Sequence, residues 1–137
     1  MRRKLNQVIF LLFILSLNSC TTYLISLDSF KHQFAINDSV KSNTVTFGGK
    51  IKTINCTDEY GHPFELKNSP SIEIRFTYGS RKKRTVFYFD NIFVNDTSVT
   101  GFESRFFSSI KKTIAINSIK KIEVQDGKKQ FSKAYTH

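Results

Sequence analysis

The 137-residue sequence has no tryptophan and only two cysteines, two prolines and 11 acidic residues. Two cysteines allow at most one disulfide, which excludes the disulfide-rich frameworks of many small exported domains. The core must therefore hold the fold by packing, and the 14 phenylalanines are the expected core material. Lysine and arginine number 21, so the formal net charge is +10. A basic surface favours acidic partners, although scattered lysines also serve simply to keep a surface soluble.

The sequence also lacks the groupings on which catalysis and metal binding depend. His32, His62 and His137 lie in an expected linker, a turn and the C-terminus, away from other metal ligands at suitable spacing. Neither a glycine-rich phosphate loop nor a calcium loop of alternating acidic residues is present. A pair of Cys56 as nucleophile and His62 as base is the one catalytic alternative. We therefore predict a protein that is not an enzyme and has no cofactor, metal site or catalytic residue.

The first residues have the organisation of an export signal. Arg2, Arg3 and Lys4 give a positive start, and residues 8–17 form an apolar run broken only by Ser16. Such a run between a charged start and small residues is typical of a secretory signal peptide. The alternative, a permanent transmembrane helix, needs roughly 20 apolar residues, which this run does not supply. The sequence therefore predicts a signal peptide over residues 1–19.

Residues 17–20, Leu-Asn-Ser-Cys, resemble the lipobox of bacterial lipoproteins, in which an apolar residue and two small or polar residues precede a cysteine. The resemblance implies that the signal is cut before Cys20 and that the Cys20 sulfur carries diacylglycerol. It also implies that the new amino end receives an acyl chain such as palmitate. Two or more acyl chains make a stable membrane anchor. The alternative is an ordinary exported cysteine that pairs with Cys56.

Removal of residues 1–19 would leave 118 residues, a length that suits one domain. The net charge of this mature chain would be +7. Residues 20–43 are expected to be a lipidated tether, and the β domain is expected to span residues 44–137. Four apolar residues in the tether have helical spacing and predict a short helix, which Asp28 or Ser29 could cap. These four residues are Leu24, Leu27, Phe30 and Phe34.

Beyond residue 44, apolar and polar residues alternate as they do in strands. The clearest run is residues 72–78, which predicts the first strand of a hairpin. Residues 79–84 would form its tip. Residues 85–89 would return as a strand that is apolar on both faces, which favours a central place in the sheet. A further strand is expected from Val99 to Phe107, with Gly101 at a bulge or a close approach.

Near the C-terminus, Ile116, Ile119 and Ile122 are spaced by three, which suits a 3₁₀ turn between two strands. This local pattern resembles the ending of SH3-like barrels. The expected fold is therefore mainly β, a small barrel or curled antiparallel sheet, with a short N-terminal helix or tether. More broadly, residues 85–131 resemble the C-terminal part of small bacterial envelope lipoproteins of unassigned function, through residues 87–90, 99–101, 104–105 and 121–127.

The expected hairpin tip carries four consecutive cations: Arg81, Lys82, Lys83 and Arg84. Close to an anionic membrane, each could contribute roughly 1 kcal/mol of binding. No aromatic residue is interleaved among them, which argues against binding of single-stranded nucleic acid. These four residues are the candidate anion-binding site. The alternative is a solvated turn that only protects the hairpin.

These features together predict a lipoprotein of the bacterial cell envelope with a non-enzymatic interaction or structural role. The alternative is a binding module whose basic tip contacts anionic lipid, lipopolysaccharide or peptidoglycan. The expected partners are the membrane, through lipid on Cys20, and an envelope protein or an anionic envelope polymer, whereas export argues against nucleic acid. Thr21 after the cysteine favours the outer over the inner membrane, under a sorting rule known for some bacteria.

Overall fold

A computed structural model describes residues 21–34, 45–107 and 109–128, and these form a mainly β protein. The predicted signal peptide, Cys20 and His137 lie outside the described residues. The described elements are one helix, α1 (Leu27–Gln33), and ten strands, with 3₁₀ turns at Gly48–Lys50, Phe89–Asn91 and Ile116–Ser118. The strands are β1 Thr22–Ile25, β2 Thr46–Phe47, β3 Thr53–Thr57, β4 Pro63–Lys67, β5 Ile72–Tyr78, β6 Lys83–Tyr88, β7 Phe93–Val94, β8 Ser98–Phe102, β9 Lys111–Ala115 and β10 Ile119–Asp126.

The strands form two antiparallel sheets. The larger has the order β4-β3-β1-β10-β5-β6, and the smaller has the order β2-β7-β8-β9. The larger sheet curls so that β6 meets β8 of the smaller one. In the described residues, both strand orders are open rather than closed. The mainly β prediction is therefore confirmed, in its form of curled antiparallel sheets.

A single apolar cluster fills the space between the two sheets and α1. In β5 every second side chain faces this core, because successive side chains of a strand point to opposite faces. The largest fully buried side chains include five phenylalanines, as the composition predicted. They are Phe30, Phe34, Phe76, Phe87 and Phe89.

Helix α1 covers one side of this core. Ser26 has an extended backbone, and its side-chain oxygen accepts a hydrogen bond of 3.1 Å from the Ser29 amide, which satisfies one free donor of the first turn. Phe30 faces inward and meets the Phe76 ring edge to face, with centroids 5.6 Å apart. The predicted helix is therefore present, but two details were wrong. Ser26 is the cap rather than Asp28 or Ser29, and Leu24 belongs to β1.

Strand β1 changes the expected domain boundary. It pairs with β10 over its whole length, from Thr22 opposite Gln125 to Ile25 opposite Ile122, and it also contacts β3. The described domain therefore starts at Thr22 and not at residue 44, and residues 22–34 are part of it rather than a tether. Residues 35–44 lie outside the described part of the chain.

Two other strand predictions also need correction. Strand β6 lies at the edge of the larger sheet, not in its centre. Its second apolar face is explained by Tyr88, over which the Arg105 guanidinium lies 4.0 Å from the ring centroid. Strand β8 ends at Phe102, well before Phe107. The close approach at Gly101 is confirmed, since a Cβ there would lie 2.6 Å from the Phe87 ring.

The predicted order of strand, 3₁₀ turn and final strand near the C-terminus is confirmed. Strand β9 ends at Ala115, the 3₁₀ turn follows, and β10 continues from Ile119. Ile116, Ile119 and Ile122 are all buried, but only Ile116 lies in the 3₁₀ turn. Ile119 and Ile122 belong to β10, where a register shift between Ile119 and Lys121 lets two residues three apart face the same side. This turn carries the chain from the smaller sheet into the middle of the larger one, where β10 separates β1 from β5.

Candidate functional site

The basic tip is a short, well-defined turn between β5 and β6. Tyr78 pairs with Lys83, so four residues connect the strands. Gly79 and Lys82 have positive φ angles of 72° and 49°, and the Lys82 amide donates to the Gly79 carbonyl over 3.2 Å. Glycine adopts such a φ without steric cost, which explains its place at the start of the tip. The Gly79 amide also donates to the Ser118 carbonyl over 2.9 Å, which ties the tip to the C-terminal 3₁₀ turn.

Arg81 and Lys82 lie in this turn, whereas Lys83 and Arg84 are the first residues of β6, so the predicted tip of residues 79–84 was two residues too long. All four cations, for which the name basic tip is kept, are exposed. None of them forms an ion pair with any residue that the structure describes, whereas other cations do. Lys112 lies 3.3 Å from Glu103, and Lys121 lies 2.9 Å from Glu123. The tip therefore presents a local positive charge that no described carboxylate neutralises.

One side of the tip carries a polar cluster around Tyr78. The Tyr78 and Thr85 hydroxyls lie 3.2 Å apart, and the Lys112 ammonium lies 5.9 Å from the centre of the Tyr78 ring. The hydrogen bond with Thr85 lowers the pKa of Tyr78, and the nearby charges of Lys112 and Lys83 act in the same direction. The cluster connects the tip to the smaller sheet, but Lys112 is itself paired with Glu103, so it adds no unneutralised charge.

The tip lies at the end of the larger sheet that is opposite to the start of β1. Thr22 stands beside Gln125, which in turn stands beside Glu73 of β5. From Glu73, five further residues of β5 lead to Tyr78 and the tip, a distance of roughly 17 Å at 3.3 Å per residue. The N-terminal end of the domain and its basic tip are thus separated by the length of the sheet.

The structure does not bring Cys56 and His62 together as a nucleophile and base. Cys56 is a free thiol with 6% of its surface exposed, and its sulfur donates to the Phe64 carbonyl over 3.4 Å. Burial raises the pKa of Cys56 to about 11, so the unreactive thiol form dominates at neutral pH. The His62 side chain is 76% exposed, and its Nδ1 lies 3.1 Å from an Asp58 oxygen. His32 lies in α1.

A groove of about 640 Å³ lies beside the N-terminal end of β1. Its walls include Thr21, Asp58 and Tyr60, but neither Cys56 nor His62. Tyr23 and Phe64 also line it, and their rings stack with centroids 4.5 Å apart. In the part of the chain that is described, no three histidine, cysteine or acidic side chains are grouped as metal ligands.

One cluster that sequence reasoning missed joins three distant segments. The Arg105 guanidinium donates to Asp90 over 2.5 Å and to the Pro70 carbonyl, while it also covers the Tyr88 ring. The Arg105 side chain is only 8% exposed. Tyr88, Asp90 and Arg105 belong to residues 87–90 and 104–105, which carried the resemblance to envelope lipoproteins. No local pattern in the sequence joins these three segments.

Comparison with known proteins gives no match: no family model, no curated protein and no solved structure shows significant similarity to the chain. The function must therefore be argued from the residues themselves. Among the described residues, no helix combines the length and the apolar character needed to cross a membrane.

Proposed function

We propose that the protein is a cell-envelope lipoprotein with a non-enzymatic interaction role, anchored through lipid on Cys20. Support comes from the signal-like pattern of residues 1–20 together with the geometry of the domain. The exposed cations of the tip lie at the end of the sheet opposite to Thr22, and this placement carries the proposal. An anchor at residue 20 would hold the Thr22 end at the bilayer and direct the tip away from it.

The same geometry bears on the partner of the tip. Exposed charges are screened over about 8 Å at physiological ionic strength, and the tip is separated from Thr22 by roughly twice that distance along the strands. Lipid headgroups of the anchoring membrane are therefore poor partners for it. An anionic polymer or an acidic protein surface beyond the membrane suits the tip better.

The anchor is tested by feeding growing cells an alkyne-tagged fatty acid and by measuring the intact mass of the purified full-length protein. The wild type should carry the tag and sediment with membranes, whereas Cys20→Ser should carry no tag and lose membrane binding. Cys56→Ser is the matched control, because it removes the other cysteine and should keep the tag. An untagged wild type, or a Cys20→Ser variant that is still bound to membranes, would contradict the proposal.

A second candidate function, favoured by the unneutralised charge at the tip, is binding of an anionic envelope polymer such as peptidoglycan. Its test is cosedimentation of the full-length protein with purified peptidoglycan sacculi at increasing salt. Replacement of all four tip cations by glutamine should abolish a salt-sensitive binding. The matched control replaces four other exposed lysines by glutamine, at equal change in net charge: Lys50, Lys52, Lys67 and Lys128.

The two sets of variants separate a specific site from general basicity. Binding that survives in the tip variant, or falls equally in both variants, would assign the interaction to the overall net charge. It would leave the tip as a solvated turn. Loss in the tip variant alone would support the binding module.

A further inference from the structure

The loop between β8 and β9 exposes three large apolar side chains that the core does not use. Phe106 is 74% exposed, Phe107 is 64% exposed, and Ile110 is 46% exposed. Single exposed apolar residues are common on soluble proteins, but a group on one loop marks a surface that meets a partner or a membrane.

The described residues of this loop, 103–107 and 109–110, take part in several backbone hydrogen bonds. The Glu103 amide donates to the Ile110 carbonyl over 3.2 Å, and the Ile110 amide donates to the Phe107 carbonyl over 3.3 Å. Ser104 also accepts from the amides of Phe106 and Phe107 through its hydroxyl. These bonds restrain the backbone of the described residues that carry the exposed rings, so less backbone freedom is lost when the rings bind.

The Arg105 cluster fixes where this loop sits on the domain. Arg105 donates to the carbonyl of Pro70, and Pro70 precedes Ser71. The Ser71 carbonyl accepts from the Gly127 amide over 3.0 Å, and the Ser71 hydroxyl donates to Asp126 over 2.5 Å. These contacts hold the base of the loop at the end of the larger sheet where β10 finishes.

The start of β1 lies at that same end. Gln125, next to Asp126, pairs with Thr22, so the N-terminal segment before Thr21 joins the domain there. On the other side of β1, the turn between β3 and β4 exposes Tyr60 over 77% of its surface, beside the groove that Thr21 lines. Exposed aromatic side chains thus flank the point at which the apolar segment of residues 8–17, or the lipid on Cys20, is joined to the domain.

We propose that Phe106, Phe107 and Ile110 insert into the interfacial layer of the membrane that holds the N-terminal end of the chain. The proposal deepens the proposed function and rests on it, because it needs a membrane anchor at or before residue 20. Aromatic and aliphatic side chains on such a loop enter the headgroup region readily, and the exposed Lys111 next to Ile110 complements anionic headgroups. With the loop inserted, the basic tip faces away from the bilayer in a fixed orientation.

The absence of tryptophan allows a direct test. Phe107→Trp places one indole on the loop of the full-length protein, which is purified with its lipid and reconstituted into vesicles of phosphatidylcholine and phosphatidylglycerol. Lipids with brominated chains should quench most of its emission, and the emission maximum should shift to shorter wavelength. Ser80→Trp, at the exposed basic tip, is the matched control and should keep its emission.

The outcomes separate the loop from the anchor, because flotation of the same vesicles reports whether the protein is bound. If the Phe107→Trp protein floats with the vesicles but its indole is not quenched, the loop proposal is overturned and the anchor proposal stands. Protein that does not float would overturn both proposals. In a further outcome, brominated lipid leaves the loop indole unaffected while its emission changes with the protein-to-lipid ratio. That result would assign the loop to contact between two copies of the chain and would also overturn the proposal.

Discussion

The guanidinium of Arg105 lies 2.5 Å from the Asp90 carboxylate, although fifteen residues and two strands separate them in the sequence. Asp90 is held in the 3₁₀ turn that follows β6, and Arg105 belongs to the loop between β8 and β9. The ion pair therefore joins the edge of the larger sheet to the smaller sheet. It also sets the position of the exposed apolar loop.

Removal of one partner of this pair should destabilise the fold. Arg105→Met removes the counter-ion of Asp90, whose side chain is 24% exposed, together with the hydrogen bond to the Pro70 carbonyl. The pair is only partly buried, so the loss should be about 1–3 kcal/mol, below that of a fully buried pair. Urea denaturation of the variant and the wild type measures the difference. Glu103→Gln is the control, because it breaks the solvent-exposed pair with Lys112 and should cost less than about 1 kcal/mol. Equal losses in the two variants would contradict a special role for Arg105.

A methyl group at position 101 should disturb the core. The Cβ of Gly101→Ala would lie 2.6 Å from the Phe87 ring, which is itself buried, so ring or backbone must shift. Overpacking of this kind costs about 1–3 kcal/mol. The free energy of unfolding from urea titration gives the value.

The double variant Gly101→Ala/Phe87→Leu supplies the check on this mechanism. Leucine is smaller than phenylalanine and gives the new methyl group room, so the double variant should lose less stability than the two single changes predict by addition. Strict additivity would mean that the contact with Phe87 is not the cause.

Cys56 should make the fold less stable at alkaline pH. Burial raises its pKa in the folded state from near 9 to about 11. Between these pH values the unfolded chain releases a proton that the folded chain retains. The contribution of Cys56 to the free energy of unfolding is therefore complete below pH 9 and is lost as the pH rises toward 11. The wild type should lose more stability between about pH 8 and pH 10 than Cys56→Ala, as measured by urea midpoints. Parallel losses would show that the thiol does not ionise differently in the two states.

Ser26 should contribute to stability through its side chain alone. Ser26→Ala removes the acceptor of the Ser29 amide at the start of α1, which costs about 1 kcal/mol at typical helix caps. Ser26→Asp retains an acceptor and adds a negative charge at the helix start, so it should retain most of the stability. Thermal denaturation followed by circular dichroism compares the three proteins. If alanine and aspartate behave alike, the cap is not the source of the effect.

The sequence predicted those parts of the fold in which a local pattern continues for several residues. Alternation over residues 72–78 identified β5, and the spacing of Ile116, Ile119 and Ile122 identified the 3₁₀ turn before β10. Strand β1 was missed because four residues are too few to show a period of two. Its place in the sheet comes from pairing with β10, near the other end of the described chain, which no local pattern reveals.

The position of β6 was misjudged for a related reason. A strand with apolar residues on both faces is usually central, but in the edge strand β6 the Tyr88 ring on the second face is covered by Arg105 from a distant loop. The four cations of the tip could be found from sequence, since a run of charges between two strand patterns marks a turn. Their distance from the N-terminal end could not be predicted, because it depends on the antiparallel order of β1, β10 and β5.

The place of β10 between β1 and β5 has a consequence for biosynthesis. The first described strand stays without its main neighbour until residues 122–125 of β10 have been made, so the larger sheet cannot reach its final strand order before then. Folds dominated by such long-range pairing form slowly. For an exported lipoprotein, the role proposed above, such late pairing would keep the chain unfolded while it passes through a translocation channel.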